Sequence, residues 1–397
     1  GRGPVIDEEL ARRAGAALMP TYARQPVELV RGEGAAVYDA GGRRYVDCMA
    51  GISMNNVGHG HPEVVAAIAD QAGRLINTSN LYYTEPQIAL AEWIRDNSLG
   101  GRVYFCNSGA EANEAALKLV RKARGPARGE VIALTDGFHG RTFGALALTG
   151  QPGKQEPFRP MLSGVRHVDR DDPEGLEEAF SERTAAVVLE IVQGEVGVRP
   201  VSPELLRRAR ALCDRTGAVL IIDEIQTGLS RTGPLFAYRE AGIEPDVMCL
   251  AKSLGGGLPI GAIVARPELS EVFQPGDHGS TFAGGALVCA AGLAAARVLA
   301  SPELQDRVRA LGAHALAELE RMAAEGLVAE ARGRGLMLAV DLARPRAAAA
   351  VDGMLAEGFL VNATSQRTVR FLPPLVIERE DLDAMLAALR RVLAALD

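Results

Sequence analysis

MCLAKSLGGGLPIGA, residues 248–262, ends one apolar run on a lysine and opens another after three glycines and a proline. The end of a buried strand is a costly place for an ammonium group, because leaving water penalises the charge. Either that strand end is solvated or the amine performs chemistry. The flanking runs, 246–251 (DVMCLA) and 260–265 (IGAIVA), belong to a longer series. It includes 102–106 (RVYFC), 130–135 (EVIALT), 185–192 (AAVVLEIV) and 218–223 (AVLIID). These short segments alternate with helical patterns, which predicts an α/β fold with a largely parallel sheet.

Helix starts are legible as well. Ser202-Pro203-Glu204 and Ser301-Pro302-Glu303 each combine an N-cap, a proline at the first helical position and an acid in the first turn. Past residue 300 the texture changes. A helix over 302–324 precedes β-like segments around 328–341, another helix, a β-like stretch at 367–372 and an amphipathic helix over 379–396. EGAAVYDAGGRRYVDC (33–48) reads as a hairpin. The expected division is a large domain over 56–298 and a smaller α+β domain built from 1–55 and 299–397.

The 397 residues are 48% apolar and 23% charged, ordinary values for a globular protein. A net charge of −7, without Lys/Arg runs, argues against nucleic-acid and membrane-surface roles. No apolar run approaches the roughly 20 residues of a membrane span, and no signal-peptide pattern is visible at the N-terminus. Cys48, Cys106, Cys213, Cys249 and Cys289 are widely spaced, without CxxC or Cys/His clusters. They read as reduced thiols of a cytoplasmic protein, and no metal site is expected.

Three segments carry candidate chemistry. In FCNSGAEANEAALKL (105–119) an apolar strand runs into Asn107-Ser108-Gly109-Ala110, and Ser108 with Glu111 makes a capping box. Small residues at a helix start let backbone N–H groups approach an anion, aided by the positive end of the dipole. In LIIDEIQTGLSRTG (220–233), Asp223 closes an apolar run at the edge where open α/β sheets bind ligands, with Gln226 three residues on. Its carboxylate demands a partner, either an arginine or a cationic ring nitrogen. Lys252 ends a different run 29 residues later. Burial favours a neutral amine, which can condense with an aldehyde. Gly255-Gly256-Gly257 and Gly261 match neither dinucleotide nor P-loop spacing, so they read as clearance for a backbone passing close to a ligand.

An aldehyde cofactor bearing a phosphate and a pyridine ring satisfies all three features, and pyridoxal 5'-phosphate is such a molecule. TDGFHGRTFGA (135–145) adds Phe138 as a stacking platform for the ring, with His139 beside it.

From VRGEGAAVYDAGGRRYVDCMAGI to VRFLPPLVI the chain resembles the class-III, ornithine-type aminotransferases of pyridoxal-phosphate fold type I. Asp223-Glu224, Asp246 and Ala251-Lys252 fall at that family's spacing. The resemblance implies that Lys252 bonds to the cofactor aldehyde and later shuttles a proton, while Asp223 keeps the ring nitrogen protonated. It implies further that Ser108, Gly109 and Ala110 hold the phosphate and that Phe138 and Ile225 sandwich the ring. Gln226 would reach the phenolic oxygen. Thr281, in HGSTF, would reach the phosphate of a neighbouring subunit in a homodimer, with Ser280 facing substrate. Arg141 would hold a distal carboxylate and Arg370 an α-carboxylate, roles suited to the guanidinium fork. Glu195 would cover Arg370 while an ω-amine is bound.

Departures from the family pattern are few. STFAGGA (280–286) stands where relatives tend to read STFGGNP, and Ile191 where many carry proline. Ile52 replaces a tyrosine that handles the free α-amino group in ornithine-specific relatives; together with TSNLYYTEPQ (78–87), it points to the acetylornithine branch. The implied reaction moves the ω-amino group of N²-acetylornithine to 2-oxoglutarate, as in arginine biosynthesis. Succinylornithine, succinyldiaminopimelate, carrier-linked lysine, ornithine and 4-aminobutyrate are alternative donors. An aminomutase of the glutamate-1-semialdehyde type would need no 2-oxoglutarate, and the Arg370–Glu195 pair argues against it. A non-enzymatic scaffold would have lost Lys252 or Asp223.

Overall fold

A computed structural model describes residues 6–396. Its centre is a seven-stranded sheet in the order Val103–Cys106, Gly261–Ala265, Val247–Leu250, Val219–Asp223, Thr184–Leu189, Glu130–Leu134 and Val165–Val168. Thr184–Leu189, Val219–Asp223 and Val247–Leu250 are buried at every position, as strands covered on both faces must be. Neighbouring pairs are parallel from Val247–Leu250 through to Val165–Val168.

Gly261–Ala265 departs from that pattern and runs antiparallel to both neighbours. Residues 251–260, between it and Val247–Leu250, are too few for a parallel crossover, which takes about a dozen or more. The chain therefore turns back directly, through a short 3₁₀ turn at Lys252–Gly255. Lys252 sits in this reversal at φ +47°, a left-handed conformation that non-glycine residues adopt at a cost.

The apolar run at 185–192 also divides. The strand stops at Leu189, and Val192–Gln193 pairs instead with Arg199–Pro200 in a separate two-stranded ribbon. Glu190 and the 193–195 segment are thereby placed at the same sheet edge as Asp223.

Two four-stranded sheets complete the β structure among the described residues. One joins Leu29–Glu33, Ala36–Asp39 and Arg44–Asp47 to Phe359–Leu360, so the N-terminal hairpin is closed by a strand from near the other chain end. The other has the order Glu330–Arg334, Met337–Asp341, Thr368–Phe371, Asn362–Ala363. The helices Pro203–Thr216 and Pro302–Ala324 start at their serine caps. Ser202 Oγ accepts from Leu205 N at 3.1 Å and Ser301 Oγ from Leu304 N at 3.2 Å. Among the described residues no single helix is long and apolar enough to cross a membrane, and no cluster of His, Cys, Asp and Glu is arranged to hold a metal.

Candidate active site

Asp223 is the last residue of its strand, in register with Cys249 of the neighbour that leads to Lys252. Both side chains therefore emerge at the carboxyl edge of the sheet, where α/β folds bind ligands. A cavity of about 610 Å³ opens there, lined by Asp223, Lys252, Phe138, His139, Arg141, Glu195, Ile225 and Gln226. Ser108, Gly109 and Ala110 form another part of its wall. A larger cavity, about 760 Å³, adjoins it through Gly51, Met54, Gly257 and Leu258 but does not include the lysine.

The Asp223 carboxylate is 3% exposed and held from several sides. Asn113 Nδ2 donates to Oδ2 at 2.8 Å, His139 Nδ1 lies 2.7 Å from the same oxygen, and Ile225 N donates to Oδ1 at 3.0 Å. Burial disfavours charge on His139, but the hydrogen bond and negative charge of Asp223 outweigh it, and the imidazole pKa lies above its ordinary value. The buried His139 Nε2 and Gln226 Oε1 have no protein partner, leaving polar capacity at the site.

At the opposite end, Ser108 caps the helix Gly109–Arg124, its Oγ accepting from Glu111 N at 3.2 Å. The returning arm of the capping box differs from the expected one, because Glu111 Oε2 accepts from Asn107 N at 2.6 Å. Gly109 and Ala110 lie in the first turn, whose N–H groups find no acceptor within a helix. They face the cavity with the positive end of a 16-residue helix behind them. Gly261 permits this arrangement: a Cβ there would stand 2.4 Å from Ser108 O and 2.8 Å from Cys106 Sγ. Of the three consecutive glycines, Gly257 alone reaches the cavity. A Cβ on Gly255 would meet Ile260, and one on Gly256 would meet Ala295 and Val64.

Lys252 is half-buried in the cavity wall. Burial lowers its pKa to about 8, and Arg370 adds to the fall, while Glu195, Asp223 and Glu190 oppose it. A lysine ordinarily at 10.5 thus becomes an amine with a substantial neutral fraction near physiological pH.

Arg370 is 1% exposed and tethered three ways: Nη1 donates to Gly194 O at 2.8 Å and to Glu195 Oε1 at 3.1 Å, and Nε to Asn362 Oδ1 at 3.2 Å. Burial pushes the Glu195 carboxyl up, but Arg370, Lys252 and Lys154 together bring it below the usual range. Arg141 is exposed, with its guanidinium carbon 5.8 Å from the Phe138 ring centroid. Lys154 approaches the same ring, its Nζ 5.3 Å from the centroid. Ser280 and Thr281 do not line this cavity; they sit in another, with His278, Leu81 and Tyr83. Ser280 is still linked to the site, since Asn107 Nδ2 donates to its Oγ at 2.8 Å.

Several residues at the site have no counterpart among the sequence candidates. Asn113 occupies the buried face of its helix and donates both to Asp223 and to His139 O, each at 2.8 Å. Glu190, 7% exposed, accepts from Phe138 N at 3.0 Å, and burial raises its pKa to about 7. Tyr22, from the N-terminal segment, lines the cavity beside Ile52. A polar residue within an apolar stripe was the available signal for Asn113 and Glu190. Tyr22 has none.

A lysine with a lowered pKa, a buried carboxylate, a helix start and unpartnered polar atoms converge at one sheet edge, an arrangement that suits a fold-type-I pyridoxal-phosphate enzyme. The class-III aminotransferase family model matches residues 19–393. The acetylornithine aminotransferase of Methanocaldococcus jannaschii is 46% identical over 376 residues, covering 94% of each chain. That of Streptomyces coelicolor is 46% identical over 389 residues, covering 98% of this chain and 96% of its own. Among solved structures, the ornithine aminotransferase of Toxoplasma gondii superposes with a TM-score of 0.94 at 36% identity, covering 98% of this chain and 95% of that one. The N-acetylornithine aminotransferase of Stenotrophomonas maltophilia gives 0.82 at 38% identity, covering 94% and 97%. The chain belongs to the class-III aminotransferases.

Proposed function

We propose that this enzyme transfers the ω-amino group of N²-acetylornithine to 2-oxoglutarate, giving N-acetylglutamate 5-semialdehyde and glutamate, a step of arginine biosynthesis. The observation that carries the choice of donor is Ile52, an apolar side chain in the cavity wall. It offers no hydrogen bond to an ammonium group, so a free α-amine beside it would lose water without compensation. An acylated amine carries no charge to desolvate. The names of the relatives support the same donor.

Pyridoxal phosphate, when bound, supplies the aldehyde that carries the amino group and a ring that accepts electron density. In this reading Gly109 and Ala110, with the Ser108 cap, would hold its phosphate, and Asp223 would pair with its ring nitrogen. Phe138, Ile225, Gln226 and His139 line the ring's place. Lys252 would hold the cofactor through its amine. Freed by substrate, the same amine would be the base that takes the proton from the substrate's amine-bearing carbon and hands it to the cofactor side, so that the donor carbon is left as the carbonyl carbon.

Two substrates with different ends must share this site. The ω-amine end of the donor has no carboxylate, and Glu195 covers Arg370 while it reacts. Glutamate brings an α-carboxylate that needs Arg370, so Glu195 must move aside. Glu195 is the mobile partner because its side chain is 26% exposed, whereas that of Arg370 is 1% exposed and stays tied to Gly194 and Asn362. Arg141 takes the distal carboxylate of either substrate.

We also propose a homodimer in which Thr281 completes the neighbouring site and Ser280 beside it faces the substrate. Thr281 is exposed and outside its own cavity. Leu81 (82% exposed), Tyr83 (96%) and Phe282 (71%) lie exposed in the same two segments. Apolar side chains concentrated in this way mark an interaction surface.

The test is product identification. Acetylornithine and 2-oxoglutarate should yield glutamate and the semialdehyde in equal amounts, with none formed by Lys252→Ala. Absence of glutamate from the cofactor-loaded wild type would reject the assignment.

A further inference from the structure

Arg231 is fully buried, and no carboxylate among the described residues lies in ion-pair contact with it. Its guanidinium instead gathers four neutral acceptors from three separate stretches of chain. Nε donates to Ser53 Oγ at 2.9 Å, and Nη2 bonds to Asn56 Oδ1. Nη1 donates to Leu336 O at 2.9 Å and to Pro373 O at 2.7 Å. Its backbone oxygen also accepts from Leu336 N at 3.2 Å. Burial disfavours the charge, and Asp47, out of contact, offsets this in part.

The stretch that Arg231 grips on one side is unusual. Ala50, Gly51, Ile52 and Ser53 all have positive φ, at 46°, 60°, 62° and 68°. Three of the four carry a Cβ, so this left-handed turn is strained and persists only where its surroundings over-determine it. Its entry is fixed by Asp47, whose Oδ1 accepts from Met49 N and Ala50 N, both at 2.9 Å. Its exit is fixed by Arg231 through Ser53 and Asn56. Between these anchors Ile52 projects into the cavity wall, 41% exposed.

We propose that Arg231 is a positioning residue for amino-donor recognition: it holds the left-handed turn at 50–53 in register with the strand ends at Leu336 and Pro373, and so sets Ile52 against the donor. A fixed positive charge suits the task, because charge-assisted hydrogen bonds to several carbonyl and side-chain oxygens hold geometry better than neutral ones. Leu229 and Ser230, just before it, are themselves left-handed and follow the strand that ends at Asp223, so the turn is referenced to the same element as the acidic site residue. The inference rests on the functional reading above, in which Ile52 faces the donor.

The test compares wild type, Arg231→Lys, Ser53→Ala and the double variant as cofactor-loaded enzymes. The donor half-reaction and the glutamate half-reaction are measured separately, with the best donor from an ω-amine panel. Arg231→Lys keeps the charge but cannot reach four acceptors, and donor KM should rise about tenfold, short of the roughly 100-fold that a full 1 Å misplacement can cost. Ser53→Ala cuts the direct tie to the turn alone and should raise donor KM about threefold, while the glutamate half-reaction and the visible absorbance of the cofactor stay as in wild type. Because the two groups touch, the double variant should resemble Arg231→Lys rather than the product of the two effects. Equal losses in both half-reactions, additive effects, or donor KM within about twofold of wild type in Ser53→Ala would overturn the proposal. If Arg231→Lys does not fold, Ser53→Ala decides alone. A best donor other than acetylornithine counts against the functional reading and leaves this comparison intact.

Discussion

Replacing Glu195 by glutamine should shift the enzyme toward its α-amine substrate. Glu195 and Arg370 share one hydrogen bond of 3.1 Å between opposite charges, with the carboxylate side chain 26% exposed. A charge-assisted bond of this kind contributes about 1.5–3 kcal/mol. Partial exposure screens it, and the glutamine amide can still accept, so we take about 1–1.5 kcal/mol as the part lost. Arg370 keeps its ties to Gly194 O and Asn362 and so stays in place. The cost of uncovering it for glutamate falls by that amount, equivalent to roughly 5- to 13-fold in kcat/KM. The donor's ω-amine end makes no use of the bare guanidinium and gains nothing. Single-turnover absorbance changes report each half-reaction separately. The ratio of glutamate to donor kcat/KM should rise by that factor in Glu195→Gln. A ratio unchanged within about twofold would show that Glu195 does not gate Arg370.

Three further perturbations bear on Lys252, the helix start at Ser108 and the setting of Asp223. Lowering the Lys252 pKa from 10.5 to about 8 raises its neutral fraction at pH 7 on the order of 300-fold. The rate at which apoenzyme condenses with pyridoxal phosphate should therefore level off a little above pH 8, and a rate still climbing tenfold per unit beyond pH 9 would contradict the lowered pKa. Gly261→Ala places a Cβ 2.4 Å from Ser108 O. That overpacking costs about 1–3 kcal/mol and should weaken cofactor binding in a fluorescence titration of otherwise folded apoenzyme, whereas wild-type affinity would show that the helix start does not hold the cofactor. Asn113→Ala leaves the buried His139 O without a donor and Asp223 Oδ2 with His139 Nδ1 alone. The expected cost is about 2 kcal/mol, seen in calorimetry as a melting point lower by a few degrees, and an unchanged melting point would count against the bridge.

The residues that anchor the site were legible because a charged group at the end of an apolar run has few explanations. Asp223 and Lys252 both satisfy that pattern, and both stand at the carboxyl edge of the sheet. The antiparallel return of Gly261–Ala265 was also written in the sequence, in the shortness of residues 251–260, yet an alternating α/β pattern suggests parallel strands throughout. Glu190 lay hidden inside what reads as one continuous run, because periodicity cannot show that a strand stops at Leu189. Asn113 was hidden for a related reason: a single polar residue in a helix reads as solvated until its face is known. Tyr22 and the grip of Arg231 on Ser53 depend on contacts between distant segments, which no local pattern encodes.

We infer that the cavity beside Ile52 selects an acylated donor. The deciding measurement is kcat/KM for N²-acetylornithine against ornithine, with 2-oxoglutarate as acceptor and the same enzyme preparation. Burying an uncompensated ammonium beside Ile52 should cost ornithine at least about 1.4 kcal/mol, so acetylornithine should lead by about tenfold or more. Ornithine turned over equally well, or better, would contradict the claim.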